Sequence, residues 1–108
     1  MKVGIIRCQQ TEDLCPGTGD FAAVEKKSGA FETLGDCTIV GFVSCGGCPG
    51  SKAIARAQAL MDRGAQAIAL ATCITMGNPD GFPCPNRDSI LQALRKKCKE
   101  VPVLEYTH

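Results

Sequence analysis

Four short apolar runs punctuate the chain, at residues 2–7, 38–44, 67–71 and 101–106. Each is β-branched or aliphatic and nearly uninterrupted, as strands covered on both faces are. Between them the period lengthens. In residues 51–63, Ala53, Ala57, Leu60 and Met61 recur at helical spacing, and Gly64 stops the run. In residues 86–99, Leu91, Leu94 and Cys98 form one stripe with Ile90 alongside. Asn86 stands where a cap belongs, and Arg95, Lys96, Lys97 and Lys99 suit the negative end of the helix dipole. A weaker helix, carrying Phe21 and Val24, begins at Thr18 or Asp20 and ends near Gly29. Residues 30–37 show no period and read as irregular.

The order β-α-β-α-β-α-β predicts an α/β fold: a single small three-layer domain over residues 1–108, with a four-stranded parallel sheet. Right-handed crossovers would put helices on both faces, and the strand order 2-1-3-4 is expected. In such sheets ligands bind beyond the carboxyl ends of the strands. Cys8, Cys45, Cys73 and His108 follow strands one to four, and Cys15, Cys48 and Cys84 sit on loops leaving the same edge. Seven candidate ligands are thus expected at one crevice. Cys37 falls at the opposite end of the sheet and Cys98 extends the last helical stripe, so both read as small core residues.

Composition narrows the chemistry. Twelve basic and 11 acidic residues leave a net charge of +1, which offers no attraction to nucleic acid or an anionic membrane. Trp is absent and aromatics are scarce, against a base-stacking platform. No stretch is long enough to cross a bilayer, and the first apolar run, closed by Arg7, is too short for a signal peptide. A cytoplasmic protein with reduced thiols is expected. Eight cysteines then point to metal or redox chemistry rather than a disulfide scaffold.

The densest chemistry lies in Cys45-Gly46-Gly47-Cys48-Pro49-Gly50, directly after the second strand. Two thiolates separated by two residues chelate one metal without strain. Gly46 and Gly47 let the loop bend around a bound group and turn N–H donors towards sulfur. Pro49 suits a first helical position, which would put Cys48 at a helix N-terminus where thiolate is favoured. Cysteine also precedes proline at Cys15-Pro16 and Cys84-Pro85, as in iron–sulfur ligand runs. Cys8 and Cys15 share a site only if the loop between them folds back. The Cys73–Cys84 segment holds Met76, Gly77, Asn78-Pro79, Gly81, Phe82 and Pro83, and reads as a lid over the crevice. His108 serves as ligand or as a hydrogen-bonding neighbour of a ligand, the two roles being equally open.

Other motifs fail. Gly50-Ser51-Lys52 lacks the order and upstream glycine of a phosphate loop, and no Gly-x-Gly-x-x-Gly follows the first strand. Asp20 and Glu12 are candidate bases, but both read as solvated acids.

The set Cys8, Cys15-Pro16-Gly17, Ser44-Cys45-Gly46-Gly47-Cys48-Pro49-Gly50, Cys73, Gly81-Phe82-Pro83-Cys84-Pro85 and Tyr106-Thr107-His108 resembles the CGGC domain family across essentially the whole chain. The resemblance implies a small prokaryotic metal-binding protein, described for the family as zinc-binding. With the sequence ending at His108, no later segment is expected to add ligands. Seven candidates exceed the four ligands of one structural zinc. Zinc, as one ion or more, and an iron–sulfur cluster with spare cysteines stay equally open, for redox, metal transfer or sensing with a redox or metal-accepting protein as partner. The alternative is a thiol–disulfide or thiol-transfer enzyme using Cys45 and Cys48, though the rest of a thioredoxin pattern is missing.

Overall fold

The computed structural model describes residues 1–77 and 83–108. Four strands alternate with helices: β1 Lys2–Arg7, α1 Thr18–Lys26, β2 Thr38–Ser44, α2 Lys52–Asp62, β3 Ala67–Leu70, α3 Thr72–Thr75, α4 Arg87–Lys97 and β4 Val103–Leu104. They form one parallel sheet in the order β2-β1-β3-β4, as the alternation predicts.

The sheet's centre is the core. β3 is buried throughout, and β1 is buried except at Lys2. Gly4 and Gly41 let α2 approach closely, because Leu60 fills the space their side chains would occupy. Phe42 neighbours Gly41 in the strand and so points the other way, against Gly17 and the ring of Phe21 at 5.1 Å. α1 and α2 therefore cover opposite faces, and α4 packs beside α2. Three layers result. No helix among the described residues is long and apolar enough to cross a membrane.

The elements depart from expectation at their ends. α2 starts at Lys52, so Pro49 lies outside it and Cys48 is not at a helix N-terminus. The cause is Gly50: its φ of 90° is non-helical, and its N–H closes a turn onto the Gly47 carbonyl at 2.8 Å. Asn86 precedes α4 but makes no side-chain cap. β4 shrinks to two residues. α3 is a single turn inside what reads as loop. In the irregular segment a 3-10 turn, Gly29–Phe31, delivers a fully buried Phe31 to the core. Cys98 is buried and Cys37 half-buried against the core, as expected.

Candidate functional site

Register decides which strand ends meet. Arg7 pairs with Ser44 and Ile6 with Leu70, so β1, β2 and β3 finish almost level. The Cys45 N–H continues the ladder onto the Arg7 carbonyl at 2.7 Å, and the Ala71 N–H onto that of Ile6 at 2.9 Å. Cys8 and Cys45 hence emerge side by side. α3 then turns Cys73 back over the end of β1, where its Sγ accepts the Cys8 N–H at 3.2 Å. Cys84 returns to the same place through its own N–H, bonded to the Ile74 carbonyl at 2.7 Å.

The thiols sense one another. Burial pushes the Cys84 thiol above its ordinary pKa; an N–H from Asn86 partly offsets this, and the neighbouring Cys48, Cys8 and Cys45 raise it further. Burial likewise raises Cys73, against the Cys8 N–H and the Thr11 hydroxyl, with Cys8 and Asp20 adding to the rise. Cys8, Cys45, Cys48, Cys73 and Cys84 thus lie along the carboxyl edge of the sheet, which forms a thiol rim. Cys45 and Cys73 are buried, Cys8 and Cys84 half-buried, and Cys48 exposed; all eight cysteines are free.

The glycine loop behaves differently from expectation in one respect. Gly46 and Gly47 have φ of 84° and 100°, which L side chains rarely adopt. Yet the Gly46 N–H goes to the Ser44 hydroxyl at 3.3 Å, not to sulfur. The N–H···S bonds come instead from Cys8 to Cys73 and from Asn86 to Cys84, the latter at 3.4 Å. Arg56 holds the strand end beneath the loop through the Ser44 carbonyl and hydroxyl, at 3.1 and 2.9 Å.

Cys15 and His108 stand apart from the five. Cys15 is half-buried, and its carbonyl accepts from Arg7 at 2.6 Å, which folds the loop back as a shared site demands. Among the described residues, no hydrogen bond links its thiol to the rim. His108 is tied by its backbone to Thr72: its N–H donates to the hydroxyl and its carbonyl accepts from it, both at 3.0 Å. Its imidazole lies over Gly19, with Nε2 3.7 Å from Asp20 Oδ1. Through Asp20 it meets the buried Thr107 hydroxyl, which contacts that of Thr72, the residue before Cys73.

Asp20 corrects the expectation of a solvated acid. It is 2% exposed and takes a short hydrogen bond from the Thr107 hydroxyl. Thr107 and Thr72, both fully buried, join their hydroxyls at 3.1 Å. Arg7, Thr11, Thr72 and Thr107 carry site architecture that the cysteine pattern did not reveal. For three of the four the one sequence sign is adjacency, since Arg7, Thr72 and Thr107 directly neighbour Cys8, Cys73 and His108, while Thr11 has none. The lid reading falls on residues 78–82, outside the described residues; Met76, before them, is 52% exposed.

Among the described residues, no three Cys, His, Asp or Glu side chains are gathered tightly enough to enclose one ion. The arrangement is an open rim rather than a closed cage. Its donor chemistry suits a soft or borderline cation: crowded thiols ionise at a cost, and a bound cation removes that cost. Closing the rim is the remaining requirement, and the exposed Cys48 on its glycine loop has the least to displace.

The model of the CGGC domain matches residues 2–108. An uncharacterized protein of Methanocaldococcus jannaschii is 40% identical over 116 aligned positions, covering 100% of this chain and 87% of the relative. No solved structure matches.

Proposed function

The chain belongs to the CGGC domain family, and on that footing we propose that its thiol rim is a metal centre. One observation carries the reading: the Cys73 Sγ accepts the Cys8 N–H at 3.2 Å, so cysteines from two strand ends meet at the edge where Cys45 also emerges. The proposed ligand set is Cys8, Cys15, Cys45, Cys48, Cys73 and Cys84 with His108. Gly46 and Gly47 would supply the loop that closes on the bound group. A reducing compartment, the cytoplasm, keeps such thiols free.

The bound group is zinc or an iron–sulfur cluster. Six thiols exceed one structural zinc, and N–H···S bonds at Cys73 and Cys84 suit either centre by drawing charge from sulfur. Isolation without oxygen, followed by metal and labile-sulfide analysis, tests the proposal. Brown protein with iron and sulfide supports a cluster; colourless protein with zinc supports zinc. Protein that holds neither, and takes up neither on reconstitution, refutes the metal reading. Redox, metal-transfer or sensing work, with a redox or metal-accepting protein as partner, would follow from which group binds.

A second reading has its own support: Cys48 is exposed while Cys45 is buried, the asymmetry of an attacking and a resolving thiol. Cys48→Ser separates the two. Loss of bound metal favours the centre; unchanged metal with abolished thiol turnover favours a thiol–disulfide or thiol-transfer enzyme.

A further inference from the structure

Arg7 is 6% exposed, at the last position of β1. Burying a guanidinium is costly unless its donors are satisfied and its charge is offset. Its three hydrogen bonds all go to neutral oxygens: Nε to the Cys8 carbonyl at 3.1 Å, Nη1 to the Cys15 carbonyl at 2.6 Å, Nη2 to the Thr11 hydroxyl at 3.1 Å. Among the described residues no carboxylate lies within ion-pair distance of it. The acceptors are not scattered. They are both ends and the middle of one loop, and both ends are cysteines. Thr11 completes the arrangement by donating its hydroxyl to the Cys8 carbonyl at 3.2 Å, and its carbonyl accepts the Cys15 N–H at 2.8 Å. The Arg7 carbonyl meanwhile holds the Cys45 N–H.

We propose that Arg7 is the positioning residue of the thiol rim: its guanidinium folds the Cys8–Cys15 loop back so that Cys15 can join Cys8 on one bound cation. The proposal rests on the metal-centre reading for its second half only. The fork geometry is what the task needs, because a planar guanidinium reaches three acceptors at fixed angles and an ammonium does not.

Two measurements test it, with Arg7→Gln, Arg7→Lys and Cys15→Ser. In metal-free protein, hydrogen exchange at the Leu14 and Cys15 amides should quicken about tenfold or more in Arg7→Gln, while β3 amides stay protected and report an intact fold. Unchanged exchange at Leu14 and Cys15 overturns the clamp, whether or not metal binds. Titration with Co2+ then reads the thiolate ligands through their sulfur-to-metal absorption. Arg7→Gln and Cys15→Ser should each lose one thiolate's share, and the double variant no more than either. Arg7→Lys should lose the same share, because an ammonium keeps the charge but not the fork. Additive losses, or full intensity in Arg7→Gln, overturn the role of Arg7 towards Cys15. If wild-type protein gives no Co2+ band while the exchange result holds, the clamp stands and the role of Arg7 towards a shared cation is overturned, whereas the metal reading itself fails only if reconstitution also yields neither zinc nor cluster.

Discussion

Thr107→Val replaces one hydroxyl with a methyl at a site that is fully buried. The shape is kept, so the cost is almost entirely polar. Thr107 Oγ1 donates to the buried Asp20 carboxylate, accepts the Thr72 N–H at 3.3 Å and contacts the Thr72 hydroxyl at 3.1 Å. A hydrogen bond to a charged group contributes about 1.5–3 kcal/mol and a neutral one about 1 kcal/mol. Among the described residues, Asp20 is then left with His108 alone, 3.7 Å away and half-exposed. The expected loss is about 2–4 kcal/mol, a large part of an ordinary domain's stability but not all of it. For a chain this size that is roughly 10–20 °C in the unfolding midpoint. Urea unfolding of the metal-free protein measures it directly. Thr107→Ser is the control: it keeps the hydroxyl and gives up one buried methyl, about 1 kcal/mol. A double-mutant cycle with Asp20→Ala should show most of the loss as coupling between the two side chains. If Thr107→Val lies within about 0.5 kcal/mol of wild type, the hydroxyl does not satisfy Asp20, a surface-like outcome that would sink the argument.

The other outcomes follow from packing and titration. Gly4→Ala puts a Cβ 2.8 Å from Leu60 Cδ1 and 2.9 Å from its Cβ, so α2 must shift; about 1–3 kcal/mol of destabilisation is expected in urea, smaller in a Leu60→Ala background. At the glycine loop Gly46→Ala should harm stability more than Gly47→Ala. Both strain a positive φ, roughly 1–2 kcal/mol, but a Cβ at 46 meets the Lys52 Cβ at 2.6 Å, whereas one at 47 meets only the mobile tip of Gln9 at 2.8 Å. Equal melting curves for the two would count against this loop geometry. Burial raises the thiols of Cys73, Cys84 and Cys98, so the fold keeps their protons longer than the unfolded chain does. Between the unfolded and folded pKa values the native state binds more protons, and stability falls as pH rises. The metal-free protein should therefore lose midpoint above the ordinary thiol pKa of about 8.5, and a midpoint flat from pH 7 to 10 would contradict the burial.

The parallel sheet was legible because its strands are covered twice. β1 and β3 carry near-continuous apolar runs, and only a fully buried strand needs them. Strand order followed from alternation and short connections. Boundaries were harder, since they turn on single backbone angles. Gly50 and Lys27 illustrate this: a φ of 90° delays α2, and a φ of 55° ends α1 before the glycine that seemed to end it. Phe31 escaped notice because one buried aromatic in a turn has no period to betray it.

At the site, the cysteines could be nominated as candidates by counting from strand ends, because a parallel sheet sends every carboxyl terminus to one edge. What holds them there could not. Arg7 reads as the polar close of an apolar run, and Asp20 as an ordinary acid in the first turn of a helix. Both are buried for a reason that exists only once the chain is folded: carbonyls and hydroxyls from residues up to 87 positions away converge on them. A soft-ligand pattern announces itself through residue type, whereas the polar groups that orient the ligands are common residues distinguished only by their partners. The test for such residues is coupling. If Arg7 and Asp20 merely fill space, substitutions there will add to cysteine substitutions in their effect on metal uptake; if they hold the rim in shape, the losses will overlap.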